Sequence, residues 1–287
     1  MKIKTNYHSH NTFCDGKNTM EEIVLSAISK NFTHFGISSH APVPFDNTFA
    51  LTEENFTAYK NEFLRLKEKF KHKIQLFLGL EMDFISDLVE NISQDAHQKY
   101  CLDYFIGCVH QVKEHNTNIN TWFIDGSKQD KYDNGLYNIF YGDIQKAVTC
   151  FYKQQSEMII KNRPDILGHC DKVVMHNKNR YFQQNEKWYR DLVYSLFDTV
   201  IKYNTIIEVN TRGLYRQRND DFYPSHFWLK YLVEKHVPLT ISTDAHTSEE
   251  VDLLYKEALE YLQSLNCGEL YYFDGVWKAE KINNFMA

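Results

Sequence analysis

The chain has 287 residues, 43% of them hydrophobic and 24% charged, and carries a formal net charge of −6. That length and composition suit a folded protein with a sizeable core, and they allow an α/β barrel as a single domain over residues 1–287. The acidic balance excludes a surface built to attract a nucleic-acid polymer, so an anionic ligand would need metal ions or a few placed arginines.

In chain order, Ile3–His8 is the first β-leaning run. Thr19-Met20-Glu21-Glu22 is a capping box and predicts a helix running to Lys30. His34–Ser39 is the second strand. Glu53–Lys71 then sets Phe56, Tyr59, Phe63, Leu66 and Phe70 near helical spacing. Ile74–Leu80 and Tyr104–Val109 are the third and fourth strands. The polar stretch Lys113–Leu136 reads as a long loop over one end of the sheet. Asp143–Lys161 is helical, Ile166–Gly168 a strand, Lys187–Tyr203 helical and Thr205–Val209 a strand. Ser225–Lys235 (helix), Leu239–Thr243 (strand) and Ser248–Leu262 (helix) complete the series. Strand and helix alternate throughout, which argues for a parallel sheet, closed or open.

The chemistry-bearing residues follow the strands. The first ends in His8-Ser9-His10, with Asp15 just beyond; the second ends in Ser39-His40, the third in Leu80-Glu81 and the fourth in Val109-His110. The fifth ends in Gly168-His169, the sixth in Ile207-Glu208-Val209-Asn210 and the last in Asp244-Ala245-His246. In a parallel barrel the C-terminal strand ends meet at one face. His8 and His10, like Asp244 and His246, are two apart, so on extended backbone each pair points the same way. One histidine at a strand end is usually only a hydrogen-bonded histidine; the ordered set is what argues for metal. Six histidines with Asp15, Glu81 and Asp244 suit two or three ions. Imidazole with carboxylate favours zinc, manganese or iron. The remaining seven histidines lack this placement, and of these His115 lies in the polar stretch. Cys14, beside Asp15, reads as a neighbour of the ligands. For phosphate, Arg212 follows the sixth strand at the active face, whereas Arg163 precedes the fifth and needs a loop to bring it round. Arg216 and Arg218 are secondary anion contacts or surface residues.

The nine residues in this order resemble the PHP family, named for polymerase and histidinol phosphatase. Ser39-His40-Ala41-Pro42, Gly79-Leu80-Glu81, Ile106-Gly107-Cys108-Val109-His110 and Leu167-Gly168-His169-Cys170-Asp171 resemble its histidinol-phosphatase branch. The resemblance implies a distorted (β/α)7 barrel. It also implies one metal held by His8, His10, Glu81 and Asp244. A second is held by Glu81, His110 and His169, and a third by Asp15, His40 and His246.

The resemblance further implies hydrolysis of L-histidinol phosphate, a small phosphomonoester, as a step of histidine biosynthesis. A hydroxide bridging the metals would attack phosphorus, with Arg163 and Arg212 on the phosphoryl oxygens. Asp244 or His246 would relay a proton to the leaving group, and Glu114 is a candidate for the rest of the substrate. Two rivals stand: a phosphoesterase of the same family acting on another ester such as a nucleotide, and a non-catalytic metal-binding protein of the same fold. Six cysteines without a C-x-x-C pair read as reduced thiols. No stretch is apolar enough for a signal core or a membrane span, so the expected setting is the cytoplasm.

Overall fold

The computed structural model describes residues 2–45, 47–89, 96–114 and 121–286. Its strands are β1 (Thr5–Asn6), β2 (His34–Ile37), β3 (Gln75–Leu78), β4 (Glu81–Asp83), β5 (Ile106–Cys108), β6 (Gln111–Lys113), β7 (Thr121–Phe123), β8 (Ile166–Leu167), β9 (Ile206–Asn210), β10 (Leu239–Ser242), β11 (Glu269–Phe273) and β12 (Trp277–Lys281). The helices are α1 (Met20–Ser29), α2 (Phe56–Phe70), α3 (Ala96–Tyr100), α4 (Gln129–Phe140), α5 (Ile144–Asn162), α6 (Lys187–Tyr203), α7 (Arg212–Tyr215), α8 (His226–Glu234) and α9 (Tyr255–Ser264).

Two parallel sheets, β1-β2-β3 and β10-β9-β8-β5-β4, make up the barrel wall. Backbone hydrogen bonds join them at both seams. Ala41 N–H donates to Glu81 O at 2.7 Å and Glu81 N–H to Ser39 O at 3.1 Å. Across the other seam His10 N–H donates to Ala245 O at 2.8 Å. Because β3 runs on into β4 past Gly79 and Leu80, the wall has seven staves, and the expected distorted (β/α)7 barrel is the fold. The distortion is visible in the short strands: β1 and β8 keep two paired residues each.

The barrel interior is packed, not hollow. Tyr7, Phe77, Tyr104, Ile106, Cys108, Ile166, Ile206 and Phe273 form its buried cluster. Tyr104 crosses the floor and donates to Tyr7 O at 2.6 Å. Gly36 and Gly79 flank that ring, and a Cβ on either would collide with it. Gly36→Ala is therefore expected to cost about 1–3 kcal/mol by overpacking. Gly268→Ala, where an added Cβ meets nothing within 4 Å, should be near neutral. Denaturant midpoints of the two variants check this.

The capping box on α1 forms as expected: Thr19 Oγ1 accepts from Glu22 N–H at 3.2 Å, and Glu22 Oε2 accepts from Thr19 N–H at 2.8 Å. Asp143 caps α5 by accepting from Lys146 N–H at 3.0 Å. Three expectations change. The polar stretch Lys113–Leu136 is not a long loop, because β6 and β7 pair as an antiparallel hairpin and α4 follows. Buried Trp122 holds that unit together, donating to Tyr132 O at 2.9 Å and packing on Tyr132 and Phe140. Residues 115–120, and with them His115, lie outside the described residues. The helix expected over Ser248–Leu262 is split into a 3-10 turn, Ser248–Asp252, and α9. Leu254 takes φ 57° at the break, and Thr211 Oγ1 donates to Leu253 O at 2.8 Å, drawing the turn toward the barrel mouth. The β11-β12 hairpin was unforeseen. It closes the N-terminal end of the barrel, with Phe273 N–H on Tyr7 Oη at 2.7 Å and Trp277 Nε1 donating to Asp165 at 3.0 Å. Among the described residues, no helix is long and apolar enough to cross a membrane.

Candidate metal centre

Parallel strands deliver their ends to one face, and the structure gathers there the nine residues singled out in the sequence. Glu81 lies at the centre. Its Oε2 is 3.3 Å from His8 Nε2, 3.3 Å from His10 Nε2 and 3.0 Å from His40 Nδ1. Its Oε1 is 3.3 Å from His110 Nε2 and 3.0 Å from His169 Nε2. Asp244 Oδ1 lies 3.8 Å from His8 Nε2, 3.4 Å from His10 Nε2 and 3.4 Å from His246 Nδ1. Asp15 Oδ1 completes the outer side, 3.8 Å from His40 Nε2 and 3.3 Å from His246 Nε2.

Several features show that this cluster fits cations. His8 Nε2, His10 Nε2 and Asp15 Oδ1 are buried without a hydrogen-bond partner, a costly state for polar atoms that a metal would relieve. Donor atoms fall into sets close enough for one ion each: His10, Asp15, His40 and His246; Glu81, Cys108, His110 and His169; and His8, His10 and Glu81. His169 and Asp244 hold positive φ values of 24° and 52°, strain of the kind that collects at functional sites.

Among the donors, burial opposes protonation of His8, but Glu208, Glu81 and Asp244 outweigh it and push that imidazole up to about 10, so protons compete with a metal for this donor. Burial opposes ionisation of Glu81, but His40, His8 and His110 outweigh it and hold its carboxyl well below the usual range. Burial, followed by neighbouring His10, pulls the His246 imidazole down to about 4, which keeps it neutral with a lone pair to give.

Two supporting carboxylates escaped the sequence reading. Glu208 Oε1 takes His8 Nδ1 at 2.6 Å, and its Oε2 accepts from His169 N–H at 2.9 Å. Asp83 Oδ1 takes His110 Nδ1 at 2.9 Å and accepts from its N–H at 3.0 Å. Both fix ring orientation and leave the far nitrogen for a metal. The signal was present in strand alternation: Asp83 stands two residues after Glu81 and Glu208 two before Asn210, each on the face its partner uses.

Above the cluster opens a cavity of about 520 Å³, lined among others by Lys172, Arg212, Arg216 and Arg218. Lys172 is buried, its Nζ 2.8 Å from Asp125 Oδ2 and 4.0 Å from Asp244 Oδ2. Arg212 Nη1 donates to Asp244 O at 2.7 Å and to Tyr215 Oη at 3.1 Å, and pairs with Glu250 at 3.2 Å. These cations stand against carboxylates of the same cavity, Arg212 and Arg216 against Glu250 and Lys172 and Arg218 against Asp125, so the rim sets paired charges around the mouth. Arg163 does not reach it. It caps the C-terminus of α5, ahead of β8 and so at the opposite end of the barrel, and its guanidinium lies 3.7 Å over the Tyr203 ring. The phosphate role expected for Arg163 does not fit this placement, whereas Lys172 lines the cavity. Glu114 pairs with Lys146 on α5 and is not among the residues lining the cavity. Cys14, expected as a neighbour, has its Sγ 3.4 Å from His10 Nδ1.

Comparison with known proteins agrees with this geometry. Residues 6–212 match the model of the PHP domain. The probable histidinol-phosphatase of Schizosaccharomyces pombe is 26% identical over 280 residues, covering 93% of this chain and 87% of that protein. The histidinol-phosphatase of Bacillus subtilis is 24% identical over 275 residues, covering 90% and 98%. The crystal structure of histidinol phosphate phosphatase from Lactococcus lactis, complexed with zinc, L-histidinol and phosphate, superimposes with a TM-score of 0.68 at 20% identity, covering 97% of this chain and 99% of that one.

Proposed function

Since the chain belongs to the PHP domain family, we propose that it is a cytoplasmic, single-domain, metal-dependent phosphomonoesterase that hydrolyses L-histidinol phosphate to L-histidinol and phosphate. One observation carries the chemistry: nine donor residues gather beneath a small cavity, with five histidines converging on Glu81. The substrate rests on the curated relatives, named histidinol-phosphatases over most of their length. The Lactococcus lactis protein, which shares the fold, was crystallised with zinc, L-histidinol and phosphate.

His8, His10, Glu81 and Asp244 would hold one ion, Glu81, His110 and His169 a second, and Asp15, His40 and His246 a third, each zinc, manganese or iron. Bound divalent ions supply an ionised water at neutral pH and neutralise charge on the phosphoryl oxygens. The chain's own residues do the rest. Lys172 and Arg212 face the phosphoryl oxygens. Arg212 also holds the Asp244 carbonyl, so it positions a metal ligand as well as an anion. Either Asp244 or His246, 3.4 Å apart, relays to the leaving alkoxide a proton taken up from water, ending in the state in which it began. Phe49 and Phe123 line the cavity and offer faces to an imidazole ring.

Lys172→Met should weaken inhibition by inorganic phosphate about tenfold to a hundredfold, the cost of about 1.5–3 kcal/mol for a lost charged hydrogen bond, with metal content unchanged. An unchanged inhibition constant would remove Lys172 from the phosphate site. The function itself is tested by phosphate release from the metal-loaded protein, comparing L-histidinol phosphate with nucleoside monophosphates and sugar phosphates. L-Histidinol phosphate should give the highest kcat/KM. A nucleotide ahead of it would sink the substrate assignment and leave a phosphomonoesterase, whereas metal binding without any turnover would favour a non-catalytic protein.

A further inference from the structure

Cys108 is the last residue of β5. It is fully buried, and its Sγ lies 3.6 Å from His169 Nε2. It belongs to one set with Glu81, His110 and His169, in which the four donor atoms all lie within 4.8 Å of one another. Glu81 Oε1 is 3.0 Å from His169 Nε2 and 3.3 Å from His110 Nε2. A tetrahedral zinc ion, with Zn–N about 2.0–2.1 Å and Zn–S about 2.3 Å, spaces its nitrogen and sulfur donors about 3.5 Å apart and its nitrogen and oxygen donors about 3.3–3.4 Å apart. The three separations in the structure fall at or within about 0.4 Å of those values. We infer that Cys108 is a thiolate ligand of the ion shared by Glu81, His110 and His169.

The sulfur makes a four-donor set of what is otherwise a three-donor set. It reaches that position because residue 168 is glycine: a Cβ there would lie 2.5 Å from Cys108 Sγ. The other thiol near the centre, Cys14, sits against His10 and falls in none of the donor sets. On binding, the S–H bond breaks, the metal–sulfur bond forms and the proton leaves to solvent. A soft sulfur donor favours zinc over manganese at this position, whereas the set of His10, Asp15, His40 and His246 offers only nitrogen and oxygen. The inference rests on reading the cluster as a metal centre, and its test does not need turnover.

Cobalt(II) loading reads it out. The wild-type chain should show thiolate-to-cobalt charge-transfer absorption in the near ultraviolet, retained in Cys14→Ser and absent in Cys108→Ser. Should Cys108→Ser fail to fold, X-ray absorption at the zinc edge of Cys14→Ser, loaded with one equivalent of zinc, answers the same question. A sulfur shell at about 2.3 Å is expected. A band that survives Cys108→Ser, or zinc bound by nitrogen and oxygen alone, overturns the inference and leaves the metal centre standing. A chain that binds neither ion overturns both.

Discussion

Glu81→Ala should abolish turnover and empty the metal centre together. Both oxygens of this carboxylate are engaged, three histidines facing one and two the other. No other side chain in the cluster touches so many donors. Metal-derived stabilisation of the transition state is worth several kcal/mol, so losing it should lower kcat/KM on the order of 10³-fold or more. Metal content should fall in the same variant, because the shared carboxylate serves two of the proposed ions. Asp15→Ala removes an outer, partly exposed carboxylate and should cost less on both counts. Elemental analysis beside steady-state kinetics decides this. Near-normal turnover and metal content in Glu81→Ala would show that the carboxylate does not bridge.

Chelation should have a comparably large effect through the whole set. Activity should fall to background and return with zinc or manganese. Stability should fall too, because an ion that binds only the folded cluster stabilises it by about 4 kcal/mol at a thousandfold excess over its Kd. For a chain of this size that corresponds to a Tm shift of roughly 7 °C. Calorimetry with and without chelator provides a readout independent of substrate. An unchanged Tm together with unchanged turnover would mean that the cluster is not a working metal centre.

The sequence was legible where one strand or one helix decides the matter. His8, His10, His40, Glu81, His110, His169, Asp244 and His246 stand at or just past barrel strands, so finding the strands located them. The capping box at Thr19 is local, and it formed as expected. What stayed hidden depends on distant contacts. Arg163 lies within a few residues of a strand, but residue order alone does not say whether a loop carries it to the far face. Lys172 follows His169 by three residues, and only the fold brings Asp125 to its ammonium. At the end of the polar stretch Lys113–Leu136, the apolar spacing that runs on through Tyr132, Leu136 and Phe140 carries the helix signal, and it is spread among Asn, Asp and Gly that read as loop. The pairing of β11 with β12 owes much to Phe273 and Trp277, which pack on Tyr7 and Tyr104 from the other end of the chain. Glu208 stood with the sixth strand end but without a role, and Asp83, just past the third predicted strand, was not singled out, although each orients a histidine.

Anomalous diffraction at the zinc edge, from crystals of the zinc-loaded chain, tests the central claim most directly. Peaks are expected among the nine residues, one of them beside Glu81 Oε1 within bonding reach of His110 Nε2 and His169 Nε2. Zinc confined to surface histidines such as His72 or His236, with no peak at Glu81, would contradict it.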